Sequence, residues 1–223
     1  MQYRAHFHKL LKIILRPKGK YAFILYAKKL QKLSILDVGC GNNSWKDFFL
    51  LYPTCQYSGL DIQSYGTINN TFGTNIVVDR EDFNLHLKKF ANSFDVVFSS
   101  HNIEHCDDYK LTFNLLKKAT KIDGIIYISF PTEKSTKFPK RSGALNYYSD
   151  ATHKDPPPDF NYLKRSLCSD GFEILYSSRR YRPAILFFLG LIQEPLSYLL
   201  NKNLRFTWGF YGFESVIWAK RIY

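Results

Sequence analysis

Asp37 lies inside the apolar run 35–38, and Gly39, Cys40 and Gly41 follow at once. A strand that ends in a glycine turn and opens a helix (Trp45, Phe48, Phe49) lets backbone approach a ligand where side chains would hold it away. Asp61 closes the next such run, 56–61, where one carboxylate accepts both hydroxyls of a ribose. No Lys or Arg stands at 62–65 to receive a 2′-phosphate, which disfavours NADP. Asp79 closes the run 75–79 in the same way, with its side chain or the following N–H turned toward an adenine edge. Three strand ends with a glycine or acidic feature point to one crevice at the carboxyl edge of an open α/β sheet.

The elements that must carry these residues follow from spacing. Phe7, Leu10, Leu11, Ile14 and Leu15 predict an amphipathic helix stopped by Pro17 and Gly19, and a second helix is expected over 20–32. Strands are expected at 34–38, 56–61, 75–79, 94–99, 125–130, 172–177 and 213–220. Helices alternate with them at 45–52, 83–90, from Asp107 to about Lys121, and at 159–170. Such alternation implies a mostly parallel sheet covered on both faces. The stretch 132–159 is long and polar, as functional loops are, and 181–204 interrupts the last two strands with an apolar insertion. One domain over 1–223 is expected: basic helices in 1–32, a ligand-binding core in 33–178, and acceptor-side loops in 132–160 and 181–212.

Four motifs, LDVGCG (36–41), GLD (59–61), FDVVFSSHNIEH (94–105) and LLKKATKIDGIIYISFP (115–131), resemble those of the class I S-adenosylmethionine-dependent methyltransferases. The resemblance spans about 33–178, with a weaker echo in the closing WAK strand. It implies a Rossmann-like, doubly wound, seven-stranded sheet with its last strand antiparallel, N-terminal helices and a late lid. It also implies S-adenosylmethionine as cofactor and S-adenosylhomocysteine as product. By that resemblance Asp37 and the turn Gly39, Cys40, Gly41 hold the methionine part, and Asp61 with Ile62 the ribose. Asp79 and Arg80 lie by the adenine, and Ser100 and His101 along the cofactor's flank. The chain has Asn43 where the family usually has a further glycine; Asn tolerates the left-handed conformation, so a bound cofactor with a slightly altered turn is expected.

Methyl transfer is an in-line displacement for which the protein mainly positions the acceptor. An alcohol acceptor also needs a base, and His101, His105 and His153 lie on segments leaving the cofactor edge. His101 is nearest the cofactor and serves equally as a contact. His105, in the Glu104–His105 pair, is better read as a loop brace than as the base. His153, in the long loop, reaches an acceptor from above and is the preferred base. The string from Asp155 is not the acidic-Pro-Pro-aromatic motif of nucleobase methyltransferases, since it does not follow the fourth strand. The four cysteines form no CxxC pair and no metal spacing with histidine, and no carboxylate cluster resembles a magnesium site, so no metal is expected.

The net charge of +12 is concentrated at the ends. Residues 1–32 hold nine Lys or Arg and no acid, 179–223 hold seven against two, and the middle holds 15 against 17. That balance disfavours nucleic acid, which needs a continuous basic track. Tyr147, Tyr148, Tyr162, Tyr181, Tyr198 and Tyr211, with Arg141, Arg165, Arg179, Arg180, Arg182 and Arg205, suit a small-molecule or glycan acceptor that is anionic or nucleotide-linked. The SSHNIEH string also resembles bacterial methyltransferases that modify surface polysaccharides. RNA or other small-metabolite methylation and a non-catalytic cofactor-binding role are the alternatives. The apolar stretch 184–200 beside basic residues predicts peripheral membrane contact or a homodimer; Gly190 and Glu194–Pro195 break it too early to span a bilayer. With no signal peptide expected and thiols that read as reduced, the setting is cytoplasmic, extending to the inner face of the membrane.

Overall fold

The computed structural model describes residues 11–32, 34–42, 44–64 and 73–223. Seven strands form one sheet in the order β3-β2-β1-β4-β5-β7-β6. They are β1 (Ser34–Val38), β2 (Gln56–Asp61), β3 (Gly73–Val77), β4 (Phe94–Ser100), β5 (Thr120–Pro131), β6 (Phe172–Ser178) and β7 (Glu214–Arg221). β1 pairs in parallel with β2 and β4, and β7 runs antiparallel between β5 and β6. The order reverses between β1 and β4, so the crevice for a ligand opens beyond their carboxyl ends.

The apolar runs of β1, β4 and β5 bury both faces because helices cover both. On one face α1 (Lys20–Lys29) and α2 (Ser44–Leu51) press Phe23, Ile24 and Phe48 onto Phe98, Tyr127 and Trp218. Phe98 and Tyr127, neighbours across β4 and β5, stack with ring centres 4.6 Å apart. On the other face α3 (Phe83–Lys88), α4 (Tyr109–Ala119) and α5 (Phe160–Ser169) pack Leu87, Phe113, Leu116, Leu163 and Leu167 against Leu36, Val97, Ile126 and Ile217. Asp108 and Asp159 accept the N–H groups of Leu111 and Tyr162 and cap α4 and α5, worth about 1 kcal/mol each.

Several boundaries differ from the sequence reading. Residues 11–15 are helical, while Phe7, Leu10 and Asn43 lie outside the described residues. β3 ends at Val77, not Asp79, because β2, its partner, stops at Asp61. Asp79 is therefore an exposed residue before a 3-10 turn, Arg80–Asp82, and not a strand end. β5 starts five residues early: α4 passes directly into it, and a register shift between Phe94 and Val96 absorbs Asp123, which is left-handed (φ 62°).

The stretch 132–159 forms two 3-10 turns, Glu133–Lys137 and Tyr147–Ser149, and buries Leu145, Asn146 and Tyr147. Asn146 donates to the carbonyls of Thr136 and Phe138 and accepts from the Tyr148 N–H, so this segment is a packed wall. The late insertion folds as α6 (Ala184–Leu199) and α7 (Thr207–Tyr211). They touch closely through glycine: a Cβ at Gly190 would stand 2.3 Å from the Phe206 carbonyl oxygen.

Candidate functional site

At the carboxyl edge one cavity opens on each side of the loop after β4. The narrower, about 490 Å³ including open solvent, is walled by Asp61, Ile62, Arg80, Asn84, Asn102, His105 and Cys106. The wider, about 950 Å³ on the same measure, is walled by Ser100, His101, Tyr127 and Glu214 of the sheet edge. Lys12, Arg16, Lys20 and Tyr21 close it from the N-terminal helices, and Leu186, Arg205 and Phe206 from the late insertion.

The narrower cavity adjoins a turn whose geometry is fixed by backbone, through the Asp61 carboxylate in its wall. Asp61 accepts the N–H of Gly41 at 2.8 Å through one carboxylate oxygen, and those of Ile62 (2.7 Å) and Gln63 (3.2 Å) through the other. This ties the β1 turn to the β2 turn. A carboxylate has about four acceptor positions, so one remains for a hydroxyl. Gly39 and Gly41 are both left-handed (φ 72° and 56°). A Cβ on Gly39 would overlap Asn102 at 2.4 Å, whereas nothing stands within 4 Å of the Cβ position of Gly41. That open cradle beside Asp61 fits the methionine and ribose parts of S-adenosylmethionine.

Other residues expected at the cofactor are placed less directly. Asp37 is buried and accepts a hydrogen bond from the Tyr57 hydroxyl at 2.8 Å. Burial raises its pKa, against the nearby Lys20 charge, so it braces the turn from below. The Cys40 thiol is buried against Gly59, and burial pushes it up to about 12; only its backbone belongs to the turn. Arg80 lines the narrower cavity and pairs with Asp107 at 3.5 Å. Asp79 lines neither cavity.

The three histidines separate. His101 lies in the wider cavity, 35% exposed, its Nδ1 3.1 Å from Glu104 and its Nε2 3.6 Å from Glu214. Its ring stacks on Phe213 and its backbone is left-handed (φ 52°). Burial pulls its pKa down, but the two carboxylates overcome this and push it up to about 10. Burial would lift Glu214; His101 and Arg16 hold it below the usual carboxylate range. His101 is therefore an imidazolium at neutral pH. His105 faces the narrower cavity. His153 is 8% exposed, lines neither cavity, and packs on Tyr147 and His105.

Sequence reasoning missed Lys12, Arg16, Lys20, Asn102 and Glu214. Lys12 and Arg16 share one helix face by their spacing of four, a readable signal; Glu214 carried none, because only the antiparallel turn of β7 brings it to this edge. Of the tyrosines considered for acceptor stacking, Tyr147 and Tyr181 are core residues, whereas Tyr148 and Tyr198 are exposed.

Over residues 3–176 the chain matches the model of a family described as "Methyltransferase domain". The "Secondary metabolism regulator laeA" of Coprinopsis cinerea is 27% identical over 104 residues, which is 46% of this chain but only 26% of that protein's length. An S-adenosylmethionine-dependent methyltransferase from Mesorhizobium loti superposes with a TM-score of 0.56 at 17% identity, covering 85% of this chain and 91% of that one. Phosphoethanolamine N-methyltransferase 2 of Haemonchus contortus, in complex with S-adenosyl-L-methionine, gives 0.57 at 16% identity, covering 91% of this chain and 53% of that one. The solved structures share the fold. The chain belongs to the methyltransferase-domain family.

Proposed function

We propose that this member of the methyltransferase-domain family methylates an oxygen of an anionic sugar or sugar-linked acceptor in the synthesis of a bacterial capsule or surface polysaccharide. One observation carries the reading: the wider cavity has four cations, Lys12, Arg16, Lys20 and Arg205, against the single carboxylate of Glu214. Clustered cations at the mouth of a pocket favour an anionic ligand. The resemblance of the Ser99–His105 string to polysaccharide-modifying methyltransferases supports the sugar part of the reading.

The bound cofactor supplies a methyl group on a sulfonium, already a good leaving group. Asp61 and the Gly39–Gly41 turn orient it, and Asp37 stiffens that turn from beneath. Arg16 and Lys12 draw in the acceptor's charge, while Leu186, Phe206 and Tyr127 give the cavity its apolar wall. Held between Glu104 and Glu214, His101 acts as a fixed cation that positions the acceptor. The reacting oxygen then arrives ionised, as a carboxylate or phosphate oxygen does, and needs no base. A hydroxyl acceptor would need His101 neutral.

The setting we favour is a membrane surface. Phe188, Ile192, Leu196 and Leu199 lie on one side of α6 by their spacing, and Ile192 and Leu199 are 75% and 78% exposed. Arg182 and Arg205 flank the insertion and pack over Phe187 and Phe206, giving the mixed basic and apolar face of an interfacial helix. No helix among the described residues is long and apolar enough to cross a membrane.

The test is transfer of labelled methyl to a panel of carboxylated, phosphorylated and neutral sugars, with vesicles of anionic lipid present or absent. Transfer to an anionic member is expected, with KM raised roughly tenfold in Arg16→Ala and kcat little changed. Flotation with the vesicles is also expected. Transfer confined to neutral acceptors sinks the acceptor reading, and protein that stays off the vesicles and sediments as a dimer sinks the membrane one.

A further inference from the structure

Glu104 and His105 leave β4 in the 3-10 turn Ile103–His105, and His153 comes from the wall formed by 132–159. One candidate ligand atom from each of the three lies within 4.8 Å of the others. Their hydrogen bonds fix which atoms are left over. Thr152 donates its single hydroxyl proton to Asp150 at 2.6 Å, so its oxygen must accept from His105 Nδ1 at 2.9 Å. His153 Nδ1 lies 2.7 Å from the Tyr147 carbonyl, which can only accept. Both imidazoles thus carry their proton on Nδ1 and present a lone pair at Nε2. Glu104 is 1% exposed; one carboxylate oxygen meets His101, and the other, Oε2, is buried with no hydrogen-bond partner among the described residues. His153 Nε2 also stands 3.8 Å from the Asp150 carboxylate, lone pair toward lone pair.

A buried carboxylate oxygen and two oriented imidazole lone pairs make a cluster of acceptors with no donor of its own. Buried polar atoms of this kind are rarely left unmatched. We propose that Glu104, His105 and His153 bind one divalent transition-metal ion, zinc or a metal of similar preference. Two histidines and one glutamate form a known zinc donor set, and ligating histidines characteristically donate the other ring N–H to an oxygen, as both do here. Zinc bonds of about 2.0–2.1 Å set tetrahedral ligands roughly 3.3 Å apart, so the ligand atoms move closer together on binding. Asp150 or a water completes the coordination. The ion would pin the 132–159 wall to the turn after β4, at the edge of the narrower cavity that His105 lines.

The whole chain, stripped with chelator, is titrated with zinc against a chromophoric competitor, and bound metal is counted after gel filtration. One equivalent per chain is expected, weakened by roughly 100-fold in His153→Gln and in His105→Gln and retained in His86→Gln. Circular dichroism reports which variants fold. Cobalt(II) added to the unaltered protein supplies a readout independent of any variant: the intense visible bands of a four-coordinate site are expected. Absence of stoichiometric zinc, equal binding by a folded His153→Gln, or a cobalt spectrum like that of the aqueous ion overturns the proposal. None of these readouts depends on cofactor or acceptor.

Discussion

The two cavities at the sheet edge differ in what borders them. The narrower one adjoins a turn fixed by backbone, where the Asp61 carboxylate gathers the N–H groups of Gly41, Ile62 and Gln63, and the side chains of Arg80, Asn84 and Asn102 complete its wall. The wider one is shaped by side chains from five separated segments, the N-terminal helices, β4, β5, the late insertion and β7. Its chemistry is charge: four cations, one carboxylate and an imidazolium. Backbone geometry suits a ligand that does not vary, while side chains can be exchanged without disturbing the fold; under the proposed function, acceptor choice would reside in the wider cavity's wall.

This division is broken most directly at Asp61. Asp61→Ala removes charge-assisted hydrogen bonds worth about 1.5–3 kcal/mol each, so cofactor affinity is expected to fall by roughly 10- to 100-fold in calorimetric titration. Arg16→Ala should leave that affinity unchanged. Loss of cofactor binding in Arg16→Ala would merge the two sites. Within the turn, Gly39→Ala and Gly41→Ala both force a Cβ into left-handed backbone, and only the first also strikes Asn102. Denaturant unfolding should show about 1 kcal/mol lost for Gly41→Ala and at least about 1 kcal/mol more for Gly39→Ala. Equal losses would mean that Asn102 moves aside freely.

The smallest expected effect is on pH. The pKa of His101 is raised to about 10, so its charge is complete at neutral pH and is lost only as pH climbs past that value. As a positioning cation it predicts a kcat/KM flat from pH 7 to 9 and falling beyond. A rate that instead climbs about tenfold per unit over that range would make His101 the base and the acceptor a hydroxyl.

The limits of β1 and β2 and the nature of the turn between them could be read from single residues, because local backbone demands set them. Asp61 and Ile62 line the narrower cavity for the same reason. Asp79 misled because a strand's end depends on its partner: the run 75–79 is apolar enough to continue, but β2 stops first. His153 misled because a polar loop reads as exposed, and only the packing of Tyr147 and Leu145 turns this one inward. The meeting of Glu104 with His153 had no local trace, since nothing in either segment's spacing refers to the other.

The place of β7 governs the order in which the sheet can be assembled. β7 lies between β5 and β6, yet it follows both in the sequence. Until β7 has been made and docked, β5 has one edge bare and β6 lacks the strand it pairs with. A nascent chain halted before Glu214 therefore presents a long apolar strand edge, the form most open to pairing with another molecule. Docking of β7 is therefore the step that closes this part of the sheet, so truncation before Glu214 should yield aggregate before it yields an inactive enzyme.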